Sequence, residues 1–138
     1  MNNRYFVVLN ILLYKYGGVY MFIGQKHKKR FLDIIKELNK SDRYFSKKFL
    51  SALYVITSDE FLWNISKEHI NHNHIDFKSI NIRGINNNSH QLLQFSKGIL
   101  LENEMLIQDI IDRKLYNDKN FKIIIDAIKI ARKGLKLN

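Results

Sequence analysis

The sequence predicts a mainly α-helical single domain of five or six helices, and three observations carry that prediction. The chain contains no proline and only six glycines, so long helices run unobstructed. Apolar residues recur at helical spacing in several separate stretches. There is no cysteine, which excludes a disulfide framework, a thiolate nucleophile and a thiolate metal site. At 138 residues and 46% hydrophobic content, the chain suits one core of modest size.

The stretch from Phe45 to Ile65 is the piece around which the other elements pack, and it holds the one tryptophan. Phe45, Phe49, Leu53 and Ile56 follow helical spacing, with Leu50 and Tyr54 widening the same face. Thr57-Ser58-Asp59-Glu60 then spells a capping box, in which Thr57 accepts from the Glu60 N–H and the Glu60 carboxylate reaches back. Ile56 and Phe61 sit where a hydrophobic staple lies, so a helix is expected to start at Ser58.

Residues 1–20 stand apart from this plan. Tyr5 to Tyr14 is apolar except for Asn10, but only Arg4 precedes it and no small-residue cleavage site follows. The run also falls short of the roughly 20 apolar residues that a spanning helix needs, so no membrane partner is expected. Gly17-Gly18 can be encoded by a ribosome-binding sequence, and Val19-Tyr20 leave a suitable spacing before Met21. The expectation is that translation starts at Met21, with residues 21–138 forming the domain and 1–20 an extension.

From Gln25 to Asn39 the spacing predicts a helix that buries Phe31, Ile34, Ile35 and Leu38, with His27 one turn earlier on the same side. No carboxylate is placed to orient His27, which reads as a packed or hydrogen-bonded histidine. Residues 66–88 are polar and aperiodic. They read as an irregular arm, with a short strand where Ile80 to Ile85 alternate and with Gly84 free to take a positive φ. Arms of this length often carry function or move. Asn88 is then expected to cap a helix, with Gln91 as its reciprocal partner and Leu92, Leu93, Phe95, Ile99 and Leu100 buried. Ser96 and Gly98 are small and allow a neighbour close. Asn103 begins a shorter helix through Leu106, Ile107, Ile110 and Ile111. The last helix has an Asn117 cap and a Tyr116–Phe121 staple, buries Phe121, Ile124, Ile125 and Ile128, and ends at Gly134 in a left-handed cap.

Charge adds a second layer. Of the net charge of +10, part follows from the wealth of lysine, isoleucine and asparagine that AT-rich codons produce. Its distribution says more: residues 21–50 carry nine basic against three acidic groups, residues 51–112 four against eight, and residues 113–138 eight against two. Basic ends around an acidic middle mark either a polyanion-binding face or the solvated sides of two lysine-rich helices. Set side by side, those helices would combine Lys26, Lys29, Arg30 and Lys36 with Lys122, Lys129, Lys133 and Lys136. Such a face grips phosphates without reading sequence.

Chemistry has few candidates. His72-x-His74-x-Asp76 alternates metal ligands along a polar segment and would suit a divalent ion in a metal-dependent hydrolase. The run is similar to the signature of the metallo-β-lactamase fold, but Phe77 stands where that signature needs a histidine, and the chain is too short. Ser89-His90 lacks a nucleophile elbow, and the scattered glycines match no phosphate-binding loop. No catalytic residue and no cofactor are assigned from these patterns, and a non-enzymatic role is favoured.

The pieces HKKRF (27–31), SALYVITSDEFLW (51–63), Asp76-Phe77, SHQLLQFSKGILLEN (89–103) and LYNDKNFKIIIDAIKI (115–130) together carry a resemblance. In their order the chain resembles a family of small helical bacterial and phage proteins, catalogued as a domain of unknown function, over about three-quarters of its length. The resemblance implies a start near Met21 and a role as cargo of mobile elements, and it brings no catalytic residues. The expected function is therefore a non-catalytic, cytoplasmic binding protein of phage or mobile-element type that engages a host macromolecule, for example to inhibit host defence. The partner stays open between a host protein and a nucleic acid, the latter read by the two lysine-rich helices.

Overall fold

In the computed structural model, which describes residues 22–39 and 44–134, one helix is surrounded by the others. It is α2 (Lys47–Ser58), and every residue from Phe49 to Ser58 is buried. A helix apolar on one stripe alone would leave half its surface in water; this one is enclosed nearly all round, as a core helix must be. The polar groups it takes inside are satisfied. Ser51 Oγ donates to the Ala127 carbonyl at 2.6 Å, Thr57 Oγ1 to Leu53 at 2.7 Å and Ser58 Oγ to Val55 at 2.6 Å. Phe45, just before the helix, and Phe49 stack with ring centres 6.0 Å apart.

Helix α1 (Gln25–Leu38) precedes α2, and the short α3 (Glu60–Ser66) follows it. The arm holds a two-stranded ribbon, β1 (Ile70–Asn71) and β2 (His74–Ile75). Then come α4 (Asn87–Leu101), the four-residue α5 (Ile107–Ile110) and α6 (Asp118–Lys133). The mainly α architecture with one small strand pair agrees with the sequence, and α4 and α6 make the main packing against α2. Both approach it closely because small residues meet there. Ser96 Oγ donates to the Ala52 carbonyl at 3.2 Å, and Ala127 faces Ser51. The residues 1–20 and the Met21 start lie outside the described residues, as does Lys136.

Helix α1 is fastened to the C-terminal end of α2, where carbonyls have no partner within the helix. Arg30 Nε donates to the Thr57 carbonyl at 2.7 Å, placing a cation at the negative end of the helix dipole. His27, 2% exposed, links two segments: the Ile23 N–H donates to Nδ1 at 3.0 Å, so the proton sits on Nε2, 2.9 Å from the Tyr54 carbonyl. The ring packs against Phe22 and Tyr54. Burial lowers its pKa to about 3; the Tyr54 carbonyl opposes the shift, and the Arg30 and Lys119 charges reinforce it. It is the packed, hydrogen-bonded histidine that the sequence implies.

Several local expectations are corrected. The capping box at Thr57 does not form. Helix α2 runs on through Ser58, and Asp59 caps α3 by accepting from the Leu62 N–H at 2.9 Å. Asp59 wins because it also accepts from Ser89 Oγ at 2.7 Å, tying α3 to the start of α4. Ile56 is buried while Phe61 is exposed, so they make no staple. Asn86 rather than Asn88 caps α4, accepting from the Ser89 N–H at 2.8 Å.

Asn117 caps α6 as expected, through the Asn120 N–H at 2.8 Å. Its buried stripe, however, is Asn120, Ile123, Ile124, Ala127 and Ile130, leaving Phe121 and Ile128 exposed. The sequence offers two apolar faces on this helix. Close approach to Ser51 selects the one with alanine at its centre and sets Asp126 3.3 Å from the Tyr54 hydroxyl. Gly134 closes α6 at φ 71°, with an extended ψ of 179° rather than the left-handed helical cap.

Candidate docking site

The irregular arm was the place to look for function, and it is built as a brace. Its strand lies at 70–75, not 80–85: Ile70 pairs with Ile75 and Asn71 with His74, which puts both isoleucines in the core. At 81–85 the Asn81 side chain accepts from the Arg83 N–H at 3.0 Å, and this local turn replaces a strand. Gly84 takes the expected positive φ, 76°. Asn73, at the ribbon tip with φ 57°, donates to the Tyr44 carbonyl at 2.9 Å and accepts from the Ser46 N–H at 2.8 Å. The arm thereby fixes the chain that leads into α2.

The same ribbon disperses the histidines. An extended run would set His72, His74 and Asp76 on one side, but the chain reverses at His72-Asn73. His72 stacks on Phe45, ring centres 4.7 Å apart; His74 is exposed on β2; and Asp76 accepts from Ser79 Oγ at 2.6 Å. That hydrogen bond, more than the charges of His69 and His74, holds the Asp76 carboxyl below its ordinary range. Among the described residues no group of three His, Cys, Asp or Glu side chains is arranged to hold a metal ion. Ser89 is buried and bonded to Asp59, away from any attacking role.

The lysines are outside, as the periodicity requires, but several are matched. Lys29 pairs with Asp33 at 2.7 Å, while Lys122 and Lys129 lie 3.1 and 3.9 Å from the Asp126 carboxylate. Arg30 is committed to Thr57. Of the named set, Lys26, Lys36 and Lys133 are exposed without an acidic partner among the described residues. The two helices both pack against α2.

What the periodicity missed is the loop after α4. The expected helix from Asn103 through Leu106, Ile107, Ile110 and Ile111 is cut short: α5 is one turn long and begins at Ile107. Leu106 is 56% exposed, Ile107 73% and Ile111 65%; Leu101 is exposed as well. Ile110 alone of that expected run turns toward the core. Four large aliphatic side chains are thus exposed within eleven residues of sequence, and clustered exposed apolar surface is the mark of interaction sites. Glu102, Glu104, Asp109 and Asp112 lie among them in the sequence, and no basic residue falls between Leu101 and Asp112. The Asp109 charge is felt at Tyr116, whose pKa is raised by burial first and by that carboxylate second.

The loop is held in place. Helix α4 ends on Glu102 in the left-handed conformation (φ 59°, ψ 37°), which a non-glycine residue adopts at a cost. Its carboxylate pairs with Lys48, and the Asn103 N–H donates to the Gly98 carbonyl at 2.9 Å. Met105 folds back over Gly98 so closely that a Cβ there would sit 2.9 Å from Sδ. The small residue at 98 does allow a close approach, and the neighbour is this loop. Two signals in the sequence point here: an apolar run too short for an amphipathic helix, and acids at 102, 104, 109 and 112 with no basic residue between them.

Comparison with protein-family models, with curated proteins and with solved structures returned no match. No described helix is long and apolar enough to cross a membrane.

Proposed function

We propose that the chain is a small non-catalytic binding protein of phage or mobile-element type, and that it occupies a surface of a host macromolecule through its Leu101–Ile111 loop. The observation that supports this reading is the solvent exposure of Leu106, Ile107 and Ile111 on a segment whose N-terminal side is held by the Asn103–Gly98 hydrogen bond and by Met105 packed over Gly98. Exposed aliphatic groups on a restrained backbone bind with little ordering cost, because the loop is already in place. The phage or mobile-element character, and inhibition of a host defence as one form of it, come from the family likeness in the sequence.

The test is a pull-down from host cells with the chain begun at Met21, beside a variant carrying Leu106→Ser, Ile107→Ser and Ile111→Ser. The expected result is a defined host protein that survives a salt wash and is lost with the variant. Equal capture by both proteins would overturn the loop as the contact. Recovery of nucleic acid that washes off in moderate salt would instead favour the lysine-rich helices, since counterion release makes phosphate binding steeply salt-dependent.

A further inference from the structure

Helix α6 carries a second apolar face, turned away from α2. Phe121, Ile125 and Ile128 recur at steps of four and three and so share one side. Phe121 is 37% and Ile128 38% exposed, with Ile125 half-buried between them. Lys122, Lys129 and Arg132 adjoin this stripe. The one carboxylate there, Asp126, is recessed, its side chain 17% exposed beneath two lysines, so the outer edge is positive. The chain therefore displays two apolar surfaces of opposite sign: an acidic loop and a basic helix face.

We propose that in the free protein the Leu101–Ile111 loop of one copy is covered by the Phe121–Ile128 face of a second copy, so that self-association and partner capture compete for the same loop. The proposal rests on the reading of that loop as a docking surface. Apolar side chains would meet apolar side chains across such a contact, with Glu104, Asp109 and Asp112 at the rim of one surface and, at the rim of the other, Arg132 beside Lys122 and Lys129, two cations that share the single Asp126 carboxylate. Charge of opposite sign at the rim favours this register over loop-on-loop or helix-on-helix contacts, which would oppose like charges. Both surfaces belong to one chain, and a two-fold arrangement of the copies would bury both loops at once and close the assembly as a dimer.

Sedimentation velocity from about 1 to about 500 μM tests it, using the wild-type chain, the loop pair Ile107→Ser with Ile111→Ser, and the helix pair Phe121→Ser with Ile128→Ser. Ile107 and Ile111 stand mostly in water, whereas Phe121 and Ile128 are 37% and 38% exposed. The helicity and urea midpoint of each variant are therefore compared with the wild type first, and Phe121→Leu with Ile128→Val replaces the helix pair if the serines unfold it. The wild type is expected to dimerise, and each variant alone to need at least about tenfold higher concentration. Mixing the two variants is expected to recover part of the association, because one intact loop then meets one intact helix face. A wild type that stays monomeric throughout, a dimer indifferent to both pairs, or a mixture no better than its components would overturn the proposal. Host-protein capture in parallel separates the two ideas. Capture lost in the loop pair with a monomeric wild type sinks only self-association, whereas capture unchanged in the loop pair sinks the docking reading.

Discussion

The arm at 66–88 and the loop at 101–111 exchange the roles that their compositions suggest. The arm is polar and aperiodic, yet its isoleucines 70, 75 and 80 are buried and its Asn73 clamps the approach to α2. The loop is aliphatic, yet it leaves Leu106, Ile107 and Ile111 in water. Composition records how much apolar surface a segment has. Where that surface goes depends on partners elsewhere, and a single helical turn is too short to turn its residues inward.

The contrast can be broken most directly by truncating one isoleucine in each region. Ile75→Ala should cost about 2–5 kcal/mol in urea unfolding, as for a buried aliphatic, while Ile107→Ala should stay within about 0.5 kcal/mol. Equal costs would mean that the loop is part of the core. Next in size, Asn73→Ala removes two side-chain hydrogen bonds and leaves alanine at a positive φ, for about 2 kcal/mol. Amide exchange should then speed up at Tyr44–Ser46; unchanged protection there would show that the clamp is idle.

A pH series sharpens the comparison from the side of the rigid core. His27 has a folded pKa of about 3 against 6.5 unfolded, so the unfolded chain binds the extra proton between those values. Stability from this group is complete above pH 6.5 and should fall by about 1.4 kcal/mol per unit as pH drops toward 3. His27→Leu should lower stability at pH 7 and flatten that slope; a slope unchanged in the variant would assign the acid sensitivity elsewhere. The smallest effect concerns the loop's hinge. Glu102→Gly relieves the left-handed backbone and loses an exposed ion pair, for a net gain of at most about 1 kcal/mol. A loss of stability instead would make the Lys48–Glu102 pair structural.

Helical spacing was enough to find α1, α2, α4 and α6, because each carries an uninterrupted stripe. Caps were legible only to within two positions. Asn117 stood as expected, but Asp59 displaced Thr57 and Asn86 displaced Asn88, since neighbouring Asn, Asp, Ser and Thr side chains compete for the same N–H groups and a distant Ser89 decides between them. The buried face of α6 was misjudged for the same reason. Ala127 looks inert in sequence, and only the Ser51 hydroxyl on the other helix makes it the centre. The exposed loop was hidden because its apolar spacing suits a helix from Asn103, and only the structure shows that helix to be one turn long.

The placement of α2 has a consequence for how the chain is made. Its two flanking helices reach it across sequence separations of 44 and 76 residues, by way of Ser96–Ala52 and Ser51–Ala127. Among the described longer helices α2 is the most apolar, and it is synthesised well before the α6 residues that enclose it. A ribosome must release nearly the whole chain before Ser51 meets its acceptor, and until then that surface is open to whatever else binds nascent hydrophobic segments. Loss of α6 by early termination would leave α2 in that state permanently.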